Sequence, residues 1–146
     1  LASRLEGTNK AYGSWIMVSG STWEKADSGE NRGLLVARKF DCVRVINVNK
    51  PVQIFNVLGL REELSDAQIK AAEIFNEGMD WYLKGRDTPE VKKDVSDLLK
   101  AMSFFNEASM IFPEDESSFV FIERCKKFIN EGVPAVWDGV YTMESK

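Results

Sequence analysis

An α+β fold is predicted by a change of hydrophobic period near Gly59 in this chain of 146 residues. Before that point, short apolar runs such as SWIMVS, LLVARKF, CVRVINV and VQIFNVLG have the length and β-branched content of strands. After it, apolar residues recur at three- and four-residue steps over three long stretches, as in helices that turn one face to a core. Three segments follow: a mixed region 1–59, a helical region 60–132 and a tail 133–146.

In the first region, ASRLEGTNKAYG spaces Ala2, Leu5 and Lys10 as a helix does and stops at Gly13, a natural terminator. SWIMVS is a buried strand, STWEKAD a brief helical turn with Ser21 or Thr22 as its cap, and SGENRG a loop. CVRVINV alternates Val43, Val45 and Asn47 against Arg44, Ile46 and Val48. The Asn and Pro of NVNKP then turn the chain into VQIFNVLG, a β-hairpin.

The first long helix starts at Ser65 or Asp66 and sets Ile69, Ala72, Phe75, Met79 and Tyr82 on one stripe. Thr88-Pro89 opens the second, proline being harmless at an early helical position. Its seam is Val91, Val95, Leu98, Met102, Phe105, Ser109 and Phe112, and Pro113 ends it. EDESS caps the third helix, which carries Phe119, Ile122, Cys125 and Ile129 and is stopped by Gly132 and Pro134. A second spacing overlaps the seam. Ala101, Phe105, Ala108 and Pro113, at intervals of four, three and five, resemble the second helix of a tetratricopeptide repeat and its closing proline, and Gly78 and Trp81 match positions of the first. The connection RDTPEVKKDVSD is longer than such a repeat carries, and a plain three-helix packing unit accounts for the same residues. Trp81, Tyr82, Phe104 and Phe121 lie partly off the stripes. They are expected to bury against the first region, the other reading being a partner groove.

At 44 % apolar and 29 % charged residues the composition is that of an ordinary globular chain, long enough to bury about 70 % of its unfolded surface. Net charge is −4 with the signs interspersed, which argues against nucleic acid, bound by clustered Lys and Arg. Cys42 and Cys125 are the only thiols and histidine is absent, so no zinc site is expected. The two thiols read as small buried hydrophobes in a reducing, cytoplasmic compartment, and no spacing calls for a disulfide. No apolar run reaches the ~18 residues of a membrane span.

LASRLEGTNKAYGSWIMVSGSTWE resembles the class III nucleotidyl cyclases, in which a helix reading V-N-L-A-x-R-L-E is followed by a turn, Tyr-Gly and a strand ending in Val-Ser. DCVRVINVNKPVQIFNVLG looks like the same family's closing hairpin. PEDESSFVFIERCKKFI and VWDGVYTMESK are similar to helical extensions of bacterial, often membrane-anchored members. The resemblance implies that 1–59 is the C-terminal part of a ferredoxin-like catalytic domain, 60–132 a tetratricopeptide-like extension and 133–146 a tail.

The activity so implied is attack of a ribose 3′-oxygen on the α-phosphate of ATP or GTP, with pyrophosphate leaving. Charge building on the phosphoryl oxygens calls for fixed cations. The family supplies two Mg or Mn ions on two aspartates, and an Asn and Arg four residues apart on one helical face. Only the arginine carries over, as Arg4. The asparagine falls one residue before Leu1, and the metal aspartates and base-selecting residues fall further upstream, so no metal ligand is assigned within this chain. The expectation is a back portion of a cyclase subunit, inert alone. It would pair as a homodimer and meet a membrane only through upstream segments. Ile46 and Val48 stand where the family has lysines, and Asn47 where it has glycine. Lys50, in the turn, is the remaining candidate for a triphosphate contact. The competing expectation is a helical interaction or dimerisation module attached to a degenerate, non-catalytic cyclase domain.

Overall fold

The computed structural model describes residues 16–44, 52–86, 92–134, 137 and 139–142. The fold is α+β. Strands β1 (Met17–Ser19), β2 (Leu35–Arg44), β3 (Val52–Leu60) and β4 (Val140–Thr142) form one sheet in the order β1-β3-β2-β4. The β1–β3 and β3–β2 pairs are antiparallel, and β4 runs parallel to β2 along Cys42–Arg44. Helix α1 (Gly20–Ala26) follows β1, and α2 (Asp66–Leu83), α3 (Val95–Ile111) and α4 (Ser117–Glu131) follow β3.

Helix α1 starts at least two residues earlier than the expected cap implies. Ser19, with extended backbone at the end of β1, accepts the Thr22 N–H at 3.3 Å and is the cap in place of Ser21 or Thr22. Trp23 then stacks on Phe55 of β3, ring centroids 5.8 Å apart. LLVARKF and the start of CVRVINV are one continuous strand. Register shifts between Val36 and Ala37 and between Lys39 and Asp41 let β2 bend without breaking. At the second shift the Lys39 N–H donates to Asn76 Oδ1 of α2 at 2.9 Å, so the helix satisfies backbone that the irregular ladder leaves over. β2 and β3 are antiparallel, as a hairpin requires; its turn lies outside the described residues.

Ser65 caps α2 through a reciprocal box with Gln68, at 3.1 and 2.9 Å. Ala72, Phe75, Met79 and Tyr82 of the predicted stripe are buried, with Ile69 half-buried. Helix α3 corrects the expected start at Thr88-Pro89. That dipeptide lies outside the described residues, and 92–94 are not helical. The helix begins at Val95, where Asp94 accepts the Ser96 N–H at 2.9 Å. Leu98, Phe105 and Ser109 of the predicted seam are buried and Met102 and Phe112 half-buried, with Ala101 and Ala108 buried beside them; Val95 of the seam is exposed. The small alanines suit a place where α2 and α3 cross closely. A Cβ on Gly78 would stand 2.8 Å from Phe105 Cε1. In α4 the expectation for Phe119 also fails: it is half exposed, and Phe121 is wholly buried instead. Phe121 meets Phe40, Phe75, Tyr82 and Phe105 at centroid distances of 5.3, 5.6, 5.6 and 5.6 Å. Tyr82 and Phe121 are thus buried against the sheet and its helices, and Trp81 and Phe104 are half-buried. Gly132, at φ +100°, terminates α4.

Met17, Phe40 and Ile54 of the sheet share one core with α2, α3 and α4. Trp137, on the way from α4 to β4, closes that core edge-on against Tyr82 and Phe128, both at 5.4 Å. None of the described helices is long and apolar enough to cross a membrane.

Candidate functional site

Arg4 and Lys50, and with them Ile46, Asn47 and Val48, lie outside the described residues. The structure instead shows how the base of segment 45–51 is held. Val43 faces Val52 and Cys42 faces Gln53 across the β2–β3 ladder, while β4 lies along the other side of Cys42–Arg44. Arg86, just past α2, donates from Nη1 to Gln53 Oε1 at 2.9 Å. The strands entering and leaving 45–51 are therefore fixed by a neighbouring strand and by the end of a helix.

A second constellation was not anticipated. Arg38 is an inward-facing residue of β2, on the face of Val36 and Phe40, and is 4 % exposed. Its Nε and Nη2 donate to Asn56 Oδ1 of β3 at 3.0 and 2.6 Å, and Nη2 also donates to Ser117 Oγ at 3.2 Å. Nη1 donates to Asp115 Oδ2. Asn56 is oriented by donating from Nδ2 to the Ile16 carbonyl at 3.1 Å, which turns its oxygen to the guanidinium. Asp115 in turn accepts the Ser117 N–H at 3.1 Å and the Ser118 hydroxyl at 3.2 Å, so the carboxylate that neutralises Arg38 also takes the first N–H of α4. The guanidinium carbon lies 4.6 Å from the Phe75 ring centroid and 5.3 Å from that of Phe40. Burial pushes the Arg38 pKa down, and the charge of Asp115 and its hydrogen bond push it back. An arginine so placed stays protonated and moves no proton. Chemically this is a clamp from sheet to helices.

Beside it lies a cavity of about 40 Å³ lined by Arg38, Leu58, Gln68, Ala71, Ala72, Phe112 and Asp115. That is room for a water or two, against roughly 300 Å³ or more for a small-molecule pocket.

Lys93 makes a third buried arrangement. Its Nζ donates to the carbonyls of Trp81 and Lys84 at the end of α2, at 2.8 and 2.9 Å, with Asp97 Oδ2 at 3.8 Å. Burial lowers its pKa, opposed first by Asp97. Among the described residues no three acidic or cysteine side chains converge as metal ligands.

Sequence reasoning passed over Arg38 and Lys93. A signal existed for the first: an arginine at an inward position of an alternating strand must find a buried anion. For the second none did, because its acceptors belong to a helix that ends ten residues earlier.

No family model matches the chain. Over 126 residues the chain is 30 % identical to a protein named "Adenylate cyclase, terminal-differentiation specific" from Dictyostelium discoideum; the match takes in 86 % of this chain. The chain spans about 5 % of the length of that curated relative. No solved structure matches. The likeness is thus to an adenylate cyclase and runs through most of the chain.

Proposed function

We propose that the chain is the C-terminal portion of a class III nucleotidyl cyclase subunit, which converts ATP or GTP into a cyclic nucleotide and pyrophosphate for signalling in the cytoplasm. One observation carries this reading: the 30 % identity to an adenylate cyclase extends over 126 residues, most of the chain. In this reading Arg4 offsets the charge that grows on the α-phosphate, and Lys50, in the segment that joins β2 to β3, meets the triphosphate. The two divalent ions sit on aspartates outside this chain. The portion is inert by itself, because a single arginine without metal ligands, ribose contact or base pocket provides only a fraction of the site.

Two experiments test this. The purified 146-residue chain, given ATP or GTP with manganese, is expected to yield no cyclic nucleotide; formation of product would move the chemistry into this segment. In the parent protein, Arg4→Ala is expected to lower kcat by about 100-fold or more, the effect of removing one transition-state donor. An unchanged kcat removes Arg4 from the reaction.

Ile46 and Val48 favour a second reading. Aliphatic side chains there cannot neutralise phosphate, so the parent's cyclase domain is degenerate and the helices serve as an interaction module. A parent protein with no cyclase activity, either before or after the Arg4 substitution, is the result that selects it.

A further inference from the structure

The hydrophobic period changes at Gly59, but burial does not divide there. The inward side of β1, β2 and β3 carries Met17, Val36, Phe40 and Ile54, each no more than 7 % exposed, with Arg38 and Asn56 among them. Among the described residues, what covers that side comes after Leu60. Phe40 meets Phe75 of α2 at 5.4 Å and Phe121 of α4 at 5.3 Å between ring centroids. Helix α1 does not serve: it buries no residue of its own, and its Trp23 stacks on Phe55, which alternates with Ile54 and Asn56 and so lies on the other side of the sheet. Three strands with one apolar side need a second layer, and the strands supply none.

That side is matched to these helices in detail. Arg38 puts a charge at an inward position, and its counterion, Asp115, stands between α3 and α4. The Lys39 N–H goes to Asn76 of α2. The dependence is mutual. Without the strands, Phe75 and Phe121, both wholly buried, would lose Phe40, and Phe75 would lose the guanidinium packed on its ring. The likeness to the Dictyostelium cyclase also crosses Gly59, since its 126 residues cannot fit within residues 1–59.

We propose that Gly59 marks a change of pattern and not the edge of a catalytic segment with an appendage behind it: the strands and helices α2, α3 and α4 are one cooperative folding unit, with the helices as the layer the sheet requires. On the reading proposed above, the catalytic portion of the parent then includes the helical region, and a deletion beginning after Leu60 removes part of that portion. The inference itself rests on contacts among described residues and does not depend on that reading.

Native-state hydrogen exchange of the full 146-residue chain in low urea tests it. The slowest amides of β3 and of α4 are expected to open together, with protection factors that agree within about fivefold and with one urea dependence. Two mild variants, each remote from the contact between the layers, decide the matter. Glu107→Gly, at an exposed position inside α3, is expected to speed exchange about threefold through lost helix propensity, in β3 no less than in α4. Val57→Ala, next to Asn56 and so on the side of the sheet away from the helices, is expected to speed α4 as much as β3, by about threefold or more. Exchange in which Glu107→Gly speeds the helices and leaves the strands unchanged overturns the proposal. So does the reverse result with Val57→Ala, or a gap between the two sets of amides wider than about fivefold in the unsubstituted chain.

Discussion

Replacing Asp115 by Ala tests the link between sheet and helices most directly. The carboxylate makes three contacts: the ion pair with Arg38, the N–H of Ser117 and the hydroxyl of Ser118. Side-chain exposure is 5 % for Arg38 and 12 % for Asp115, so water does not screen the pair. Stranding the guanidinium costs about 3–5 kcal/mol. Losing the acceptor of the first α4 N–H adds about 1 kcal/mol. The sum, about 4–6 kcal/mol, stands against a total stability of roughly 5–15 kcal/mol for a domain of this size. Urea titration followed by circular dichroism is the assay, with Arg38→Met and the double variant beside it. Arg38→Met should cost less, about 1–3 kcal/mol, because Asp115 keeps two donors and reaches solvent. The double variant carries no stranded charge and should lie at least 2 kcal/mol closer to wild type than the two single losses sum to. A loss below about 2 kcal/mol in Asp115→Ala, where the stranded charge alone predicts more, or strict additivity in the double variant, refutes the clamp.

Gly78→Ala should cost about 1–3 kcal/mol by overpacking, since the added methyl would meet the Phe105 ring at 2.8 Å; a melting temperature equal to wild type would show that α2 and α3 are free to part. Burial pushes the Cys125 thiol up from 9.0 to about 12, so above pH 9 the unfolded chain ionises while the native thiol keeps its proton. The sign is therefore destabilising as pH rises: the contribution is whole below pH 9 and is lost through about pH 12, by up to ~4 kcal/mol. Lys93, lowered by burial, gives the opposite slope up to its ordinary value of 10.5. Comparing wild type with Cys125→Ala isolates the thiol together with its coupling to Lys93, and equal alkaline slopes in the two proteins would disprove the burial. Trp137 is buried with its Nε1–H lacking an acceptor among the described residues. Trp137→Phe should accordingly cost far less than Trp137→Ala, for which the lost packing predicts about 3–5 kcal/mol.

What was legible in the sequence was what local pattern decides. The capping box at Ser65, the stripe Ala72, Phe75, Met79 and Tyr82, and the stops at Pro113 and Gly132 all follow from short-range chemistry that any nearby packing preserves. The failures share a cause. Val95 and Phe119 are apolar and correctly spaced for a helix, but which side of that helix meets the core was settled by Phe105 against Gly78 and Phe121 against Phe40, contacts across long sequence separations. The start of α3 was misplaced because Thr88-Pro89 offers a helix opening that Asp94 also offers, and propensity does not rank the two. Strand β4 is three residues long, too short to leave a period. The candidate site was legible only by resemblance, through Arg4 and Lys50, and those residues lie outside the described part of the chain.

The same long-range contacts bear on how the helices relate to the strands they follow. A domain that swings on a linker needs a connection without bonds to either side. The connection from β3 to α2 is otherwise. Arg61 donates from its backbone N–H to the Leu34 carbonyl at 2.8 Å and from Nε to the Gly33 carbonyl at 3.1 Å, and the turn Arg61–Glu63 leads directly into the capped helix. Further on, Arg38–Asp115, Arg86–Gln53 and the β2–β4 ladder tie the helices and the C-terminal strand to β2 and β3 at separate places. Rotating α4 away from the sheet would strand the Arg38 charge and expose Phe121 together, so the intermediate positions are all costly. Helices and sheet are thus held to one another at several separate places, none of which can be released alone without leaving a buried charge or ring behind.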